Sequence, residues 1–390
     1  MADRGIEGLL VVDKPGLAVG ESPAGIDLPT SHDVVQRVRR WSGQRRIGHT
    51  GTLDPMASGV LVLCLGAATR LVEYYQGHDK EYLACIELGT VTDTYDACGQ
   101  VVERRPVGRL EADGVEALLA TFRGEIQQRP PIFSALKQGG ESLHRKARRG
   151  EEIRVESRPV TVHRLELLSI EGTEQPPHPT PPYSREGSGS TPPPQWGRLG
   201  GGEQPPHPTP PHSREGTGST PPPQWGRLGG GEQPPIEEPT RLWLRVACSA
   251  GFYVRSLAYD IGEALGTGGH LAYLRRESAG NFSLQNAHTL SDVEAAARAG
   301  GLESLLLAPG TGLALPVLRA DEEAARRLGL GQRIWLPDFD GGKTDTLAQA
   351  LDENGALLGI VRVLEESDRE QGGLLCKAEK WLASQSEKPQ

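Results

Sequence analysis

The chain has 390 residues, 36% hydrophobic and 24% charged, with a formal charge of −9, enough apolar material for two cores. No apolar run reaches the ~18 residues that cross a bilayer as a helix, and the opening MADRGIEGLLVVDKPG lacks the apolar segment of a secretory signal; a cytoplasmic protein with no membrane partner is expected. The negative total does not exclude nucleic acid, because phosphate binding follows local patches.

In chain order, GLLVVDK (8–14) reads as a strand. Ser31 is placed to cap a helix running to Trp41, with Val34, Val35, Val38 and Trp41 on one face. GVLVLCLG (59–66) is a buried strand, and KEYLACIELG (80–89) another, with Tyr82, Ala84, Ile86 and Leu88 on one side. YVRSLAYDIGEALG (253–266) is a helix with Leu257, Ile261 and Leu265 aligned. Strands outnumber helices and follow one another, which favours an α+β domain with a mixed or antiparallel sheet. After residue 310 a short acidic module carries the strand-like runs RIWLP, TLAQALD and GALLGIVRVLE.

Between the parts of the main domain, 7–172 and 240–307, lies a Pro/Gly-rich repeat. EQPPHPTPPYSREGSGSTPPPQWGRLGGG begins at Glu174 and returns at Glu203, and EQPP recurs at Glu232. Its units lack apolar periodicity, and proline removes donors wherever a ladder would form. Residues 173–239 are therefore expected to be a disordered insertion. The flanks, RPVTVHRLELLSIEG and TRLWLRVACSAG, alternate as strands, so the insertion reads as the expanded turn of a hairpin. Such a turn tolerates length because closure cost grows only logarithmically.

Three stretches could carry chemistry. In IGHTGTLDPMASGVLVLCLG (47–66), Asp54 precedes a proline on a glycine-rich loop that enters a strand; an Asx-turn and a catalytic carboxylate both fit. In CSAGFYVRSLAYDIG (248–262), Tyr253 and Arg255 open a helix and point the same way only if its first turn is extended. An arginine there could grip a carboxylate bidentately, or simply lie on the surface. Residues 137–158 hold seven basic side chains, Lys137 and Arg148 among them, against four acidic ones. With RRWSGQRR (39–46) this makes two basic clusters suited to a polyanion. The five cysteines, Cys64, Cys85, Cys98, Cys248 and Cys376, are scattered without a CxxC pair. They read as buried reduced thiols, and no metal site is expected.

These segments together resemble the TruB family of tRNA pseudouridine synthases. The resemblance runs through LLVVDKPG, TSHDVVQRVRR, GHTGTLDPMASGVLVLCLGAATRL, DKEYLACIELGTVTDTYDACGQV, RPPIFSALKQGGESLHRKARRGEEI and RPVTVHRLEL, and resumes with CSAGFYVRSLAYDIGEALGTGGHLAYLRR. The segment 17–29 is enlarged and the repeat is foreign to the pattern, but neither removes a motif residue.

The resemblance implies a pseudouridine synthase catalytic domain followed, over 310–385, by a small β-rich PUA-like module. Asp54 would be the catalytic aspartate, Arg255 its partner, and Tyr253 the tyrosine of the same site. Tyr82 would stack on the flipped uracil, His49 would occupy the RNA loop near the vacated base, and Leu274 would wall the uracil pocket. Lys14 would support the site, and 137–158 would be a thumb that contacts RNA through residues such as Lys137 and Arg148. It further implies a cofactor-free isomerase acting at position 55 in the T-arm of tRNA. The absence of heptads suggests a monomer.

Two other readings start from the same residues. A binding protein could remodel RNA without chemistry. A sugar hydrolase would want a second acid beside Asp54, for which Asp93 and Asp96 are available.

Overall fold

The computed structural model describes residues 5–134, 137–138, 141–142, 149, 155–172, 239–366 and 373–382. The expectation of disorder for 173–239 lies outside the described residues save Pro239, as does Arg148; of Lys137 only the backbone is described.

Strand β1 (Gly8–Lys14), helix α1 (Ser31–Ser42), β2 (Ile47–His49) and β3 (Ser58–Leu65) come first. The cap of α1 is Thr30, not Ser31: the Thr30 hydroxyl accepts the Asp33 N–H at 3.1 Å, and the Asp33 carboxylate accepts the Thr30 N–H at 2.9 Å. This reciprocal box satisfies two orphan groups, which a cap at Ser31 would not. It frees the buried Ser31 hydroxyl for another task, described below. Strand β3 follows the apolar run read from sequence. Leu61, Leu63 and Leu65 face one core and Val60, Val62 and Cys64 another, so period-2 alternation disappears where both faces are covered.

Helix α2 (Val72–Gln76), β4 (Lys80–Leu88) and the hairpin of β5 (Thr90–Thr92) and β6 (Val101–Arg104) follow. Next come α3 (Ala112–Ala120), β7 (Gly124–Gln128), the short pair β8 (Lys137–Gln138) and β9 (Glu141–Ser142), and β10 (Arg158–Glu171). Strand β11 (Arg241–Cys248), helix α4 (Val254–Ala264), β12 (Gly269–Ala279), β13 (Phe282–Ser283), β14 (His288–Thr289) and α5 (Leu290–Arg298) complete the main domain.

The main sheet runs β14-β1-β3-β12-β4-β11-β10-β7, with β2 added beside β3 and β13 beside β12. The β1–β14 and β3–β12 pairs are parallel and the others antiparallel, so the sheet is mixed, as expected for the α+β reading. Strands β10 and β11 pair antiparallel from Val162↔Cys248 to Glu171↔Arg241. The hairpin inferred from the flanks of the repeat is thus present. Its two ends touch: a Cβ on Gly172, whose φ is +79°, would lie 2.8 Å from the Pro239 carbonyl.

The C-terminal module is a five-stranded sheet of β15 (Val317–Arg319), β16 (Ile334–Leu336), β17 (Leu347–Leu351), β18 (Leu357–Glu366) and β19 (Leu374–Trp381), ordered β15-β17-β18-β19-β16. Helix α6 (Glu322–Gly329) packs on β16 and β19. The three runs read from sequence became β16, β17 and β18; β15, α6 and β19 were not anticipated. The module docks on the second face of the main sheet, where Leu313, Ile360 and Leu382 join Leu9, Val11, Val60, Val62, Tyr75 and Phe282. Tyr75 donates its hydroxyl to the Thr311 carbonyl at 3.1 Å, and Arg70 donates to the Trp381 carbonyl. Among the described residues, no helix is long and apolar enough to cross a membrane. Four cysteines are buried, as expected, but Cys98 is exposed on the turn between β5 and β6.

Candidate active site

The loop 50–57, between β2 and β3, is held from three directions. From β1, the fully buried Lys14 ammonium donates to the carbonyls of Pro15 (2.9 Å), Pro55 (2.9 Å) and Ala57 (2.7 Å). From α1, the Ser31 hydroxyl donates to the Leu53 carbonyl at 3.1 Å and accepts the Leu53 N–H at 2.8 Å. From the segment after β1, Leu17 N–H donates to the Met56 carbonyl at 2.8 Å. That last approach needs Gly16, where a Cβ would sit 2.4 Å from the Met56 carbonyl oxygen. The DKPG motif is therefore a clamp on the Asp54 loop. Lys14 points its charge into that clamp and does not line the cleft.

Helix α4 brings the second half of the site. Its N-cap, Tyr253, has extended backbone (φ −116°, ψ 109°), but the helix begins at Val254, so its first turn is not extended; Tyr253 and Arg255 nevertheless both line the cleft. Arg255 Nη2 donates to Asp54 Oδ1 at 3.0 Å, and its Nε lies 3.0 Å from Oδ2 without a hydrogen bond, so the two groups form a close ion pair joined by one hydrogen bond. The Arg255 side chain is 6% exposed and that of Asp54 29%, so the arginine is fixed while its carboxylate remains open to a cleft.

The cleft measures about 280 Å³. Its lining includes Asp54, Tyr82, Tyr253, Arg255 and Leu274, five of the residues singled out in the sequence. Tyr82 and Leu274 come from the adjacent strands β4 and β12, where Ala84 pairs with Leu274 and Tyr82 with Arg276. Burial pushes the Tyr82 phenol up to about 12. His49, at the end of β2, is half-buried and outside the lining; burial first and the Arg276 charge second hold its imidazole below the usual range.

Two residues of the site, Arg276 and Lys80, escaped notice in the sequence, and a third, Asp96, was read differently. Arg276, beside Leu274, is buried in the cleft wall, donating to the carbonyls of Val60 (2.7 Å) and Gly51 (3.3 Å). Gly59 admits it: a Cβ there would meet the Arg276 carbonyl at 2.2 Å. Lys80 lines the cleft and donates to the Gln76 carbonyl at 2.7 Å. Burial lowers its ammonium to about 8. Asp96 is buried behind Arg255, with Oδ2 3.4 Å from Nη1. Its Oδ1 accepts from the Thr94 hydroxyl at 2.7 Å and the Cys98 N–H at 3.0 Å. Burial holds its carboxyl above the usual range despite the arginine. The TDTYD segment had offered Asp96 only as a hydrolase's second acid; the structure puts the guanidinium between it and Asp54.

Residues 39–176 match the TruB family pseudouridylate synthase N-terminal domain, and residues 255–309 match the tRNA pseudouridylate synthase B C-terminal domain. The chain is 34% identical to the tRNA pseudouridine synthase B of Leifsonia xyli subsp. xyli, over 91% of this chain and 92% of that protein. It is 35% identical to the protein of the same name from Ectopseudomonas mendocina, over 93% of each. Among solved structures, it resembles a chain of an H/ACA RNP bound to a substrate RNA containing 2′-deoxyuridine (TM-score 0.61, 21% identity, 97% of this chain and 86% of that one). A chain of a Cbf5-Nop10-Gar1 complex is similar to the same degree (TM-score 0.61, 22% identity, 97% and 85%). These two share the fold. With identity above 30% along nearly its whole length, the chain belongs to the TruB family of pseudouridylate synthases.

Proposed function

We propose that the chain converts uridine to pseudouridine at position 55, in the T-arm of tRNA, with Asp54 as the catalytic carboxylate. The observation that carries this reading is the Asp54 carboxylate ion-paired with a buried Arg255 in a cleft that Tyr82 also lines. The N1–C1′ bond breaks, the uracil turns, and a C5–C1′ bond forms. The C5 proton leaves and N1 takes one up, so atoms balance without a cofactor. A carboxylate beside the ribose can add to C1′, add to the base, or take a proton from C2′. All three routes need what Arg255 supplies, a carboxylate of fixed orientation.

The target base must leave its stack, at a cost of a few kcal/mol. Stacking on Tyr82 offsets about 1–3 kcal/mol of that, with Leu274 as the apolar wall and Tyr253 as the second tyrosine of the same site. His49 takes up space in the RNA loop. Lys14 acts through the Asp54 loop, not on the RNA. The segment 137–158, with Lys137 and Arg148, lies on the stem-loop and positions it through phosphates while shape selects it. The enzyme works as a monomer.

The test is tritium release from a tRNA transcript carrying [5-³H]uridine, with wild type and Asp54→Asn. Release by the wild type alone, abolished when U55 is replaced by C, is expected. If neither protein releases tritium but both bind and reshape the T-arm, the chain is a binding protein. Equal release by both would reduce Asp54 to a turn residue.

A further inference from the structure

The geometry points to Ser134 as a direct hydrogen-bonding contact to the flipped nucleotide. Ser134 is only 4% exposed, lines the cleft, and its hydroxyl has no hydrogen-bond partner among the described residues. A buried hydroxyl left without a partner costs about 1–3 kcal/mol, so such groups are rare where no ligand meets them. Several other polar groups of its segment are spent. The Gln128 side chain brackets Tyr253, accepting its N–H at 2.8 Å and donating to its carbonyl at 2.9 Å. The Arg129 carbonyl accepts the Ser256 hydroxyl at 2.7 Å. The Phe133 carbonyl accepts Arg255 Nη2 at 2.9 Å, the same nitrogen that donates to Asp54 Oδ1. Ser134 N–H donates to the Ile132 carbonyl at 3.0 Å.

Residues 128–134 are thus riveted to the start of α4, and the rivets end one residue before a hydroxyl in the cleft wall. Ser134 sits one peptide from the carbonyl that shares an arginine nitrogen with the reacting carboxylate. A hydroxyl both donates and accepts, so it serves equally a ribose hydroxyl or a carbonyl of the base. For the same reason it holds the nucleotide without choosing uracil over cytosine.

The proposal rests on the synthase reading, and its signature is two effects of opposite sign. Ser134→Ala removes a group that only substrate satisfies, so the free protein keeps or raises its Tm. Meanwhile kcat/KM for a tRNA transcript falls about 3- to 10-fold, the worth of one neutral hydrogen bond. Ser134→Thr, which restores the hydroxyl, recovers at least half of the loss. Ser134→Ala with kcat/KM within twofold of wild type overturns the proposal. So does a lowered Tm, which would show that the hydroxyl has a partner within the fold. Absence of turnover by the wild type, in the same assay, would instead sink the synthase reading.

Discussion

At the scale of residues, the site is a row of alternating charges, Asp54, Arg255 and Asp96, of which the first two line the cleft and the third does not. Asp96 holds Arg255 from behind and does not line the cleft. Asp96→Asn keeps the shape and removes the charge. A hydrogen bond to a charged group contributes about 1.5–3 kcal/mol, so kcat should fall about 10- to 100-fold while KM stays within threefold. Steady-state kinetics on a tRNA transcript measure the split; an equal rise in KM would make Asp96 a substrate contact. The sequence showed Asp54, Tyr82, Tyr253, Arg255 and Leu274 because each stands in a compact motif. It hid Arg276 and the orientation of Asp96, whose partners lie far along the chain: Val60 and Gly51 for one, Arg255 for the other. Side chains that act on distant backbone carbonyls leave no local pattern to read.

At the scale of elements, α4 carries another titrating carboxyl, the half-buried Asp260. Burial raises Asp260 from 3.8 to about 6, against the pull of Arg129. The unfolded chain gives up this proton first, so between pH ~4 and ~6 the native state binds more protons, and this group makes stability fall as pH rises through that window. Above it the full cost persists, up to about 3 kcal/mol at 1.36 kcal/mol per unit. Asp260→Asn cannot ionise. Urea denaturation should find the variant more stable than wild type at pH 7, with the gap narrowing at pH 5; a constant gap would assign the effect to something other than titration.

The β10–β11 hairpin makes a different prediction. Because Gly172 and Pro239 already touch, replacing 174–238 by a two-residue turn should leave tritium release unchanged. It should also raise stability by about 3 kcal/mol through the shorter closure, read from the same urea titration. The hairpin was legible because alternation in both flanks survives any insertion between them. The cap of α1 was misplaced by one residue because Thr30 and Ser31 are both good caps, and only the reach to Asp33 distinguishes them.

At the scale of the whole molecule, the C-terminal module is part of the main domain's packing. Burial of Leu313, Ile360 and Leu382 against Val60, Val62, Tyr75 and Phe282 is worth far more than the exposed Glu73–Lys380 pair at its edge. A chain ending at residue 309 should bind a hydrophobic dye and aggregate on heating well below the wild-type Tm. A shortened protein that melts cooperatively at the wild-type temperature would show the docking to be incidental. This packing was invisible in sequence, since the strands of the module announce a sheet but not the surface that covers it.

The run of β11 has one practical consequence. It begins beside Pro239 and ends at Cys248, just before Ser249 in the cleft wall. Eight strand residues at about 3.3 Å each separate the two by roughly 25 Å. A linker attached at the hairpin tip would therefore tether the protein to a solid support with its cleft held off the attachment point by the length of that strand.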